Sequence, residues 1–554
     1  MKVASDGQQV VHRFTRRQRD AVCHPRVRRG ATRVLASQPR AGRPAFDWHL
    51  QRVIRGDTDS LQSLSALYAS HGWKPPPPAL REGGMWPLDP ATIAALPAPP
   101  VARPGIVYGE PWFDECFAIV SGVPQLPHIE CRRPAGAPVP DSALLHIRAG
   151  MCCVLENARL WPAAEDKWGA AGYLARELQS ASCSVLSSPA ASRRFSYWFD
   201  ASGYADRVQA GYQAQPLVTS QQMRMQAFLE ASTRTARTSL LYLQQSLLQA
   251  APDRPHAGLI PCAGLGEGMT RDIQDGIDME ALRMLAQAGG FGPWQRCQLF
   301  VGGAAAEGAR SILHFDQYDN LFVQVAGTKT FRIYDPQQTR HLYAYPIHHP
   351  LDTRAQVDLK DPDDAAFPRL AEAKGVTITL GPGQLLFLPA YWWHEVLTEP
   401  HEHADVPSGS CAAAPTDQPL TVSVNFWFAA TARLLAPTVP LVPSMQCELA
   451  RQLEYLVSDC LADKAWHVPA FLSGLLDAIN ATARVGGSGG DGAYSNALLA
   501  TRPPDVDELS WLGCFEFVVY KLALWVGPQS MGRFLSDLCH ASRFSQLRLK
   551  QATR

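Results

Sequence analysis

Two histidines and one aspartate have the residue types and the spacing of a metal-binding site. His314 and Asp316 are separated by one residue, and His394 follows in the run Tyr391-Trp392-Trp393-His394. Residues i and i+2 of a strand point to the same face, so His314 and Asp316 are expected side by side. Two imidazoles and a carboxylate on one face of an Fe(II) ion leave the opposite face open for a cosubstrate and O₂. The pattern therefore predicts an iron centre that performs oxidation chemistry.

A histidine followed two residues later by an acid is weak evidence by itself, because the chain contains three such pairs. The other two are His128/Glu130 and His403/Asp405, and neither has a partner histidine in a strand context. Only the pair at 314 and 316 leads into a strong β pattern and is answered by a histidine just beyond another predicted strand. The alternative for this pair is a barrel histidine capped by an aspartate, without a metal.

The segments around these residues have the pattern of an antiparallel barrel or jelly roll. Apolar runs at 321–325 and 330–334 flank Gly327-Thr328 and predict a hairpin. Lys329 lies on this hairpin and either reaches inward to a carboxylate or is simply solvated. Other segments predict strands at 152–155, 195–199, 298–301, 376–380, 384–388 and 420–428, and helices at 218–232 and 274–288. We therefore expect a mainly β fold with flanking helices.

The composition is that of a globular protein without an obvious polyanionic or membrane partner. Lys+Arg and Asp+Glu both number 51, and this balance gives no general support for nucleic-acid binding. The 13 cysteines contain no C-x-x-C motif, which favours reduced thiols in a cytosolic or nuclear protein. A membrane span is not expected, because every long apolar run is interrupted by charges.

Composition shifts divide the chain into five parts. Residues 1–44 carry 11 Lys/Arg and two acids, which indicates a disordered basic tail or, alternatively, an organellar transit peptide. Residues 45–73 are expected to hold one or two short helices, and with the Pro/Ala linker at 74–104 the whole of 1–104 is predicted to be a largely disordered extension. The β domain with the candidate metal site is predicted at 105–435, with a surface loop inserted at 401–418. A helical segment at 436–483, a Gly/Ser-rich linker at 484–505 and a C-terminal helical segment at 506–554 follow.

The motifs over residues 125–435, and more faintly the helices to 480, resemble the JmjC group of Fe(II)/2-oxoglutarate oxygenases. The resemblance is carried by the runs 314–329, 381–394 and 421–428. Within this group, Leu241–Gln245, Tyr343–Asp352 and the acidic turns before Pro368 are most similar to asparaginyl hydroxylases of the factor-inhibiting-HIF type.

The resemblance implies a double-stranded β-helix of the cupin type with Fe(II) bound by His314, Asp316 and His394. The cosubstrates would be 2-oxoglutarate and O₂, and the residues implied to bind 2-oxoglutarate are Tyr242, Ser311, Asn320, Lys329 and Asn425. The residues implied on the substrate side are Gln244, Tyr318, Arg354 and Trp427. Departures from the family pattern fall here, at Tyr318 and at Thr353-Arg354, where the family has a glutamine and an Arg-Gln pair.

The activity implied is a dioxygenase that hydroxylates a protein side chain, most directly Asn, or Asp or His, in an extended or ankyrin-repeat segment. A homodimer through the helices at 436–483 is also implied, and the expected location is cytoplasmic or nuclear unless the basic N-terminus directs organellar import. The alternatives are a related hydroxylase of RNA or of another side chain, and a non-catalytic binding module with a cupin fold.

Overall fold

The computed structural model describes most of the chain between residues 118 and 545. Gaps fall at 121–122, 133–136, 197–211, 213–216, 233–237, 251–258, 304–307, 400–418, 431–442, 462–464 and 485–492, and single positions between 50 and 66 and residue 547 are also described. The predicted basic tail, the Pro/Ala linker at 74–104, the strand residues after 196 and the loop at 401–418 therefore lie outside the described residues.

The strands are numbered in chain order. They are β1 (Ala118–Val120), β2 (Val123–Gln125), β3 (His128–Glu130), β4 (Cys153–Glu156), β5 (Cys183–Pro189), β6 (Arg194–Phe195), β7 (Thr219–Met223), β8 (Ser239–Ser246), β9 (Leu248–Ala250), β10 (Leu259–Pro261), β11 (Trp294–Gly302), β12 (Arg310–Ser311), β13 (His314–Phe315), β14 (Tyr318–Ala326), β15 (Lys329–Tyr334), β16 (Val376–Leu380), β17 (Leu385–Leu388), β18 (Trp393–Thr398) and β19 (Thr421–Ala429).

The α-helices are numbered in the same way. They are α1 (Asp141–Arg148), α2 (Pro162–Lys167), α3 (Ala171–Glu177), α4 (Met225–Ser232), α5 (Glu267–Asp275), α6 (Met279–Gly289), α7 (Pro443–Cys460), α8 (Val468–Arg484), α9 (Ala493–Leu499), α10 (Glu508–Val526) and α11 (Met531–Leu538). Short 3₁₀ turns lie at Pro336–His341, Pro368–Glu372, Ala465–His467, Pro528–Ser530 and Ala541–Arg543.

Two sheets form the centre of the molecule. The larger has nine strands in the order β3-β4-β17-β14-β19-β11-β8-β5-β7, and the smaller has the order β16-β15-β18-β12-β6, with β13 paired to β18. Side chains from both sheets, such as Phe322 and Phe331, form one apolar cluster between them. The predicted jelly roll with flanking and C-terminal helices is confirmed.

The sequence of β14 is almost continuously apolar because both faces of this strand are buried. Leu321, Val323 and Val325 belong to the cluster that packs against the N-terminal helices, whereas Phe322 belongs to the cluster between the sheets. A strand that is buried on both faces shows no polar alternation. By contrast, β16 alternates buried and exposed residues, because only one of its faces is covered.

The predicted hairpin around Gly327-Thr328 is wrong. β14 pairs with β17 and β19, whereas β15 pairs with β16 and β18, so the turn carries the chain from one sheet to the other. A period of two identifies both strands but does not say which strand each one joins. The segment 218–232, predicted as one helix, is strand β7 followed by helix α4. The segment 274–288, also predicted as one helix, contains the end of α5, a break after Asp275 and most of α6.

The C-terminal helices share one apolar cluster with the described N-terminal positions. Leu453 and Val457 of α7 are buried together with Phe515 and Val518 of α10, and Leu50 joins the same cluster. The predicted extension over 1–104 and the predicted linker over 484–505 are therefore partly structured, the latter as α9. The homodimer stays a prediction, although one apolar face of α7 is covered by helices of its own chain.

Within the described residues, no single helix is long and apolar enough to cross a membrane. One pair, Ser510–Val526 and Pro528–Leu538, meets the criteria of length and composition together, but it is bent by 105°.

Candidate active site

The three predicted metal ligands lie together on the inner face of the smaller sheet. His314 on β13 is the direct Cα partner of His394 on β18, and Asp316 follows β13 immediately. The ring centroids of His314 and His394 are 4.1 Å apart, and His394 Nε2 lies 4.0 Å from Asp316 Oδ2. One ligand atom from each residue falls within 4.8 Å of the others, and among the described residues no other group of three His, Cys or acid side chains does so.

Hydrogen bonds on the far side of each ring orient the two imidazoles. His314 Nδ1 lies 2.8 Å from the carbonyl oxygen of Ile312, and His394 Nδ1 lies 3.1 Å from that of Trp392. A ring that donates from Nδ1 keeps the lone pair of Nε2 for a metal, and metal-binding histidines are usually oriented by a hydrogen bond of this kind. Two nitrogens and one carboxylate, with no thiolate, fit a ferrous ion or a similar divalent metal.

Burial keeps both imidazoles neutral. It holds the pKa of His314 well below its usual value, and the neighbouring His394 and Arg354 add to this effect. Burial also lowers the pKa of His394, although the Asp316 carboxylate opposes the shift. Since only the neutral ring can bind a metal, these groups are ready to do so at neutral pH.

Lys329 lies at the inner end of the same cavity. Its side chain is 2% exposed, and Nζ donates to Tyr242 Oη at 2.9 Å and to Ser423 Oγ at 2.6 Å. The ring centroids of Tyr242, Phe300 and Phe322 lie 5.2–5.7 Å from Nζ. No acid of the described part of the chain forms a salt bridge with it, and burial lowers its pKa to about 7. This environment fits an anionic group that enters from the cavity.

The other residues implied for 2-oxoglutarate also line this cavity, which measures about 890 Å³ with its mouth. Asn320 and Asn425 project from the larger sheet, and Asn320 Oδ1 is buried without a hydrogen-bond partner. The amide of Asn425 is satisfied when its oxygen accepts from Trp427 Nε1 at 3.1 Å. Ser311 Oγ accepts from the backbone N–H of Val396 at 2.9 Å, which leaves its own proton to donate.

Three of the four predicted substrate-side residues line the cavity, and the fourth does not. Gln244, Arg354 and Trp427 lie on its wall. Tyr318 is outside the lining, but its ring stacks on Trp427 with centroids 6.0 Å apart. Tyr318 and Trp427, both half-buried, therefore form one aromatic surface at the edge of the lining.

Sequence reasoning missed Ser423 and Ser196. Ser423 lies two residues before Asn425 on β19, so the same i, i+2 rule that paired His314 with Asp316 could have found it. Ser196 accepts from Arg354 Nε at 3.3 Å across 158 positions of sequence, and no local signal could have shown this contact.

His128 and His349 do not line this cavity. His128 bonds Glu156 at 2.7 Å on an outer strand, and His403 lies outside the described residues. His349 is buried in a turn and stacks on Tyr345 with centroids 4.2 Å apart.

Comparison with known proteins places this cavity in a recognised domain. A family model described as a cupin-like domain matches residues 146–433, just over half of the chain. The chain is 38% identical over 89 residues to lysine-specific demethylase 8 of Xenopus tropicalis, which covers 16% of this chain and 20% of that protein. It is 33% identical over 135 residues to HSPB1-associated protein 1 of Homo sapiens, with 24% and 23% covered.

A third relative is tRNA wybutosine-synthesizing protein 5 of Danio rerio, 34% identical over 93 residues, with 17% of this chain and 27% of that protein covered. The chain thus spans about a fifth to a quarter of the length of the relatives it matches. The closer likeness to asparaginyl hydroxylases stays a prediction. The match over 146–433 shows that this chain belongs to the family of proteins with a cupin-like domain.

Proposed function

We propose that this protein is an Fe(II)- and 2-oxoglutarate-dependent dioxygenase that hydroxylates a protein side chain. The observation that carries the proposal is the position of Lys329. A buried ammonium with neutral hydrogen-bond partners shares one cavity with two neutral imidazoles and a carboxylate. A metal that keeps open positions and a cation aimed at an anion are the two features that a metal-chelating keto acid needs.

Different residues of the cavity would hold the metal and the cosubstrate. His314, Asp316 and His394 would hold Fe(II), which with 2-oxoglutarate and O₂ supplies the oxidation of a C–H bond and leaves succinate and CO₂. Lys329, Tyr242 and Ser423 bind and orient the far carboxylate, whose negative charge restores the protonated state of Lys329. The rings of Phe300 and Phe322 exclude water from this end of the cavity.

The substrate side supports a neutral or acidic target side chain over a cationic one. Arg354 lines the cavity, and a methylated lysine would bring a second positive charge close to it. Gln244 offers an amide that matches an asparagine side chain in both donors and acceptors. We therefore propose Asn in an extended or ankyrin-repeat segment as the first substrate to test, with Asp and His next.

The test uses purified full-length protein with Fe(II), ascorbate, 2-oxoglutarate and a panel of peptides. Mass spectrometry should find one added oxygen atom on an Asn, Asp or His side chain, with a matching amount of succinate. The control is Asp316→Ala, which should give neither. If no peptide of the panel and no proteome digest gains oxygen while succinate forms, the protein-hydroxylase part of the proposal is wrong.

A hydroxylase of RNA is the second candidate, and the relative named for tRNA wybutosine synthesis favours it. The equal numbers of acids and bases weigh against it, although 11 Lys/Arg within residues 1–44 could bind a phosphate backbone. Transfer RNA in place of peptide is the test. RNA binding that weakens steeply with salt, together with RNA-dependent succinate, would favour this candidate over the first.

A further inference from the structure

The strand that carries the metal ligands has a second face, which packs against helix α7. His314 and Asp316 point into the cavity, so by strand alternation Phe315 and Gln317 point away from it. The guanidinium of Arg451 lies over the Phe315 ring, 5.7 Å from its centroid. Gln317 Nε2 donates to Glu448 Oε2 at 3.5 Å. Two α7 residues thus contact the residues beside the metal ligands.

Arg451 also holds the segment that flanks His314. Its guanidinium donates to both oxygens of Asp352, at 2.5 and 3.0 Å, and both side chains are buried. The residues after Asp352 lie along β13, because Phe315 N donates to Thr353 O at 3.0 Å and Arg354 is the bridge partner of His314. The ion pair is therefore one residue removed from the backbone that supports His314.

Glu448 holds the other flank in the same way. Tyr391 Oη donates to Glu448 Oε2, and the backbone N–H of Tyr391 donates to the carbonyl of Asp316 at 2.8 Å. Glu448 and Arg451 are themselves three residues apart on one helix face, with Arg451 Nε 3.7 Å from Glu448 Oε2. One pair of charged residues on α7 thus reaches the backbone next to two of the three ligands.

The backbone at both contact points is unfavourable and needs external support. Thr353 and Tyr391 both have φ of +69°, a left-handed conformation that β-branched and bulky residues rarely adopt. Such conformations persist only where surrounding contacts determine them, and they cluster at functional sites. Here the residue next to Thr353 is held by Arg451, and Tyr391 is held by Glu448.

We propose that Arg451 and Glu448 are positioning residues that hold His314 and Asp316 in metal-binding geometry from outside the cavity. Helix α7 then contributes to metal binding, although none of its residues lines the cavity. This inference rests on the proposed function only in that the three ligands bind a divalent metal.

The test measures Co(II) binding to the full-length protein by titration calorimetry and by the visible absorption of the bound ion. Arg451→Met alone would leave Asp352 buried and uncompensated, so the main variant is Arg451→Met/Asp352→Asn, which removes both charges of that pair and keeps similar volumes, while Glu448 loses its 3.7 Å contact with Arg451 but keeps the hydrogen bonds from Tyr391 and Gln317. We expect its Co(II) affinity to fall roughly tenfold, the lower end of the range for residues that orient metal ligands, with an altered absorption spectrum. Arg451→Lys keeps the positive charge but not the bidentate hydrogen bond to Asp352, so its Co(II) affinity should fall less than that of the double variant.

The matched control is Arg533→Met on α11, an exposed arginine that pairs with Asp537 at 3.8 Å. It should bind Co(II) as the wild type does. The inference is overturned if the double variant, or Arg451→Lys should the double variant not fold, keeps wild-type affinity and spectrum. A wild type that binds Co(II) but never turns over 2-oxoglutarate would refute the proposed function and leave this inference standing.

Discussion

Replacing Lys329 by methionine should stabilise the protein while it removes the affinity for 2-oxoglutarate. Burial lowers the pKa of this lysine from 10.5 to about 7, so below pH 7 the folded protein carries a charge that the unfolded chain carries at less cost. At about 1.4 kcal/mol for each pH unit, the destabilisation approaches 4 to 5 kcal/mol as an upper value. Methionine has a similar length and no charge to desolvate.

The gain is reduced by two lost hydrogen bonds. Lys329 Nζ donates to Tyr242 and Ser423, and each bond contributes about 1 to 2 kcal/mol. A net stabilisation of up to about 3 kcal/mol remains, which for a chain of this size raises the melting temperature by up to about 3 °C. The difference should be largest at or below pH 7 and should disappear as the pH approaches 10.5, because the unfolded chain, which keeps its proton up to that pH, then loses the charge as well.

Thermal melts at pH 6.5, 8 and 9.5, in Mn(II) with and without 2-oxoglutarate, measure both effects. With Mn(II) present throughout, 2-oxoglutarate should raise the melting temperature of the wild type and not that of Lys329→Met. Lys360→Met, at an exposed position, is the control and should match the wild type throughout. A variant that is less stable than the wild type at pH 6.5, or that still responds to 2-oxoglutarate, would show that Lys329 is not an uncompensated cation kept for an anion.

Four further outcomes follow from the same cavity. The dissociation constant of 2-oxoglutarate should rise with pH above about 7 in calorimetry, since Lys329 must be protonated to pair with a carboxylate, and a flat profile from pH 6.5 to 9 would contradict this. Ser423→Ala removes the 2.6 Å acceptor of Lys329 and should weaken 2-oxoglutarate binding about 5- to 10-fold without changing Mn(II) affinity. His394→Ala should abolish both metal binding and succinate formation, and unchanged 2-oxoglutarate consumption in this variant would refute the assignment of His394 as a metal ligand needed for turnover. Trp427→Ala should raise the KM for a peptide substrate roughly tenfold while leaving peptide-independent 2-oxoglutarate turnover intact, because its half-buried ring lines the cavity and stacks on Tyr318 outside it.

Local sequence patterns were sufficient to predict the candidate metal ligands, but they could not predict how the strands around these ligands pair. Alternation placed His314 and Asp316 on one face, and the predicted strand at 376–380 has the observed bounds. The same alternation gave a hairpin at Gly327-Thr328, because a period of two is identical for strands in one sheet and in facing sheets. Contacts such as Lys329 with Tyr242 span 87 positions and depend on the closure of the two sheets, which no local pattern records.

The two sheets contribute different chemistry to the cavity. All three candidate ligands and Lys329 come from the smaller sheet or the residues that follow its strands, whereas Tyr242, Asn320, Ser423 and Asn425 come from the larger one. The smaller sheet fixes the candidate ligands through the direct pairing of His314 with His394, so a change on the larger sheet can alter what is bound without moving these side chains. Tyr318, a departure from the asparaginyl-hydroxylase pattern that the sequence resembles, lies on the larger sheet and leaves the candidate ligands in place. The departure at Thr353-Arg354 is the more consequential one, because that segment runs beside His314 and is held by α7.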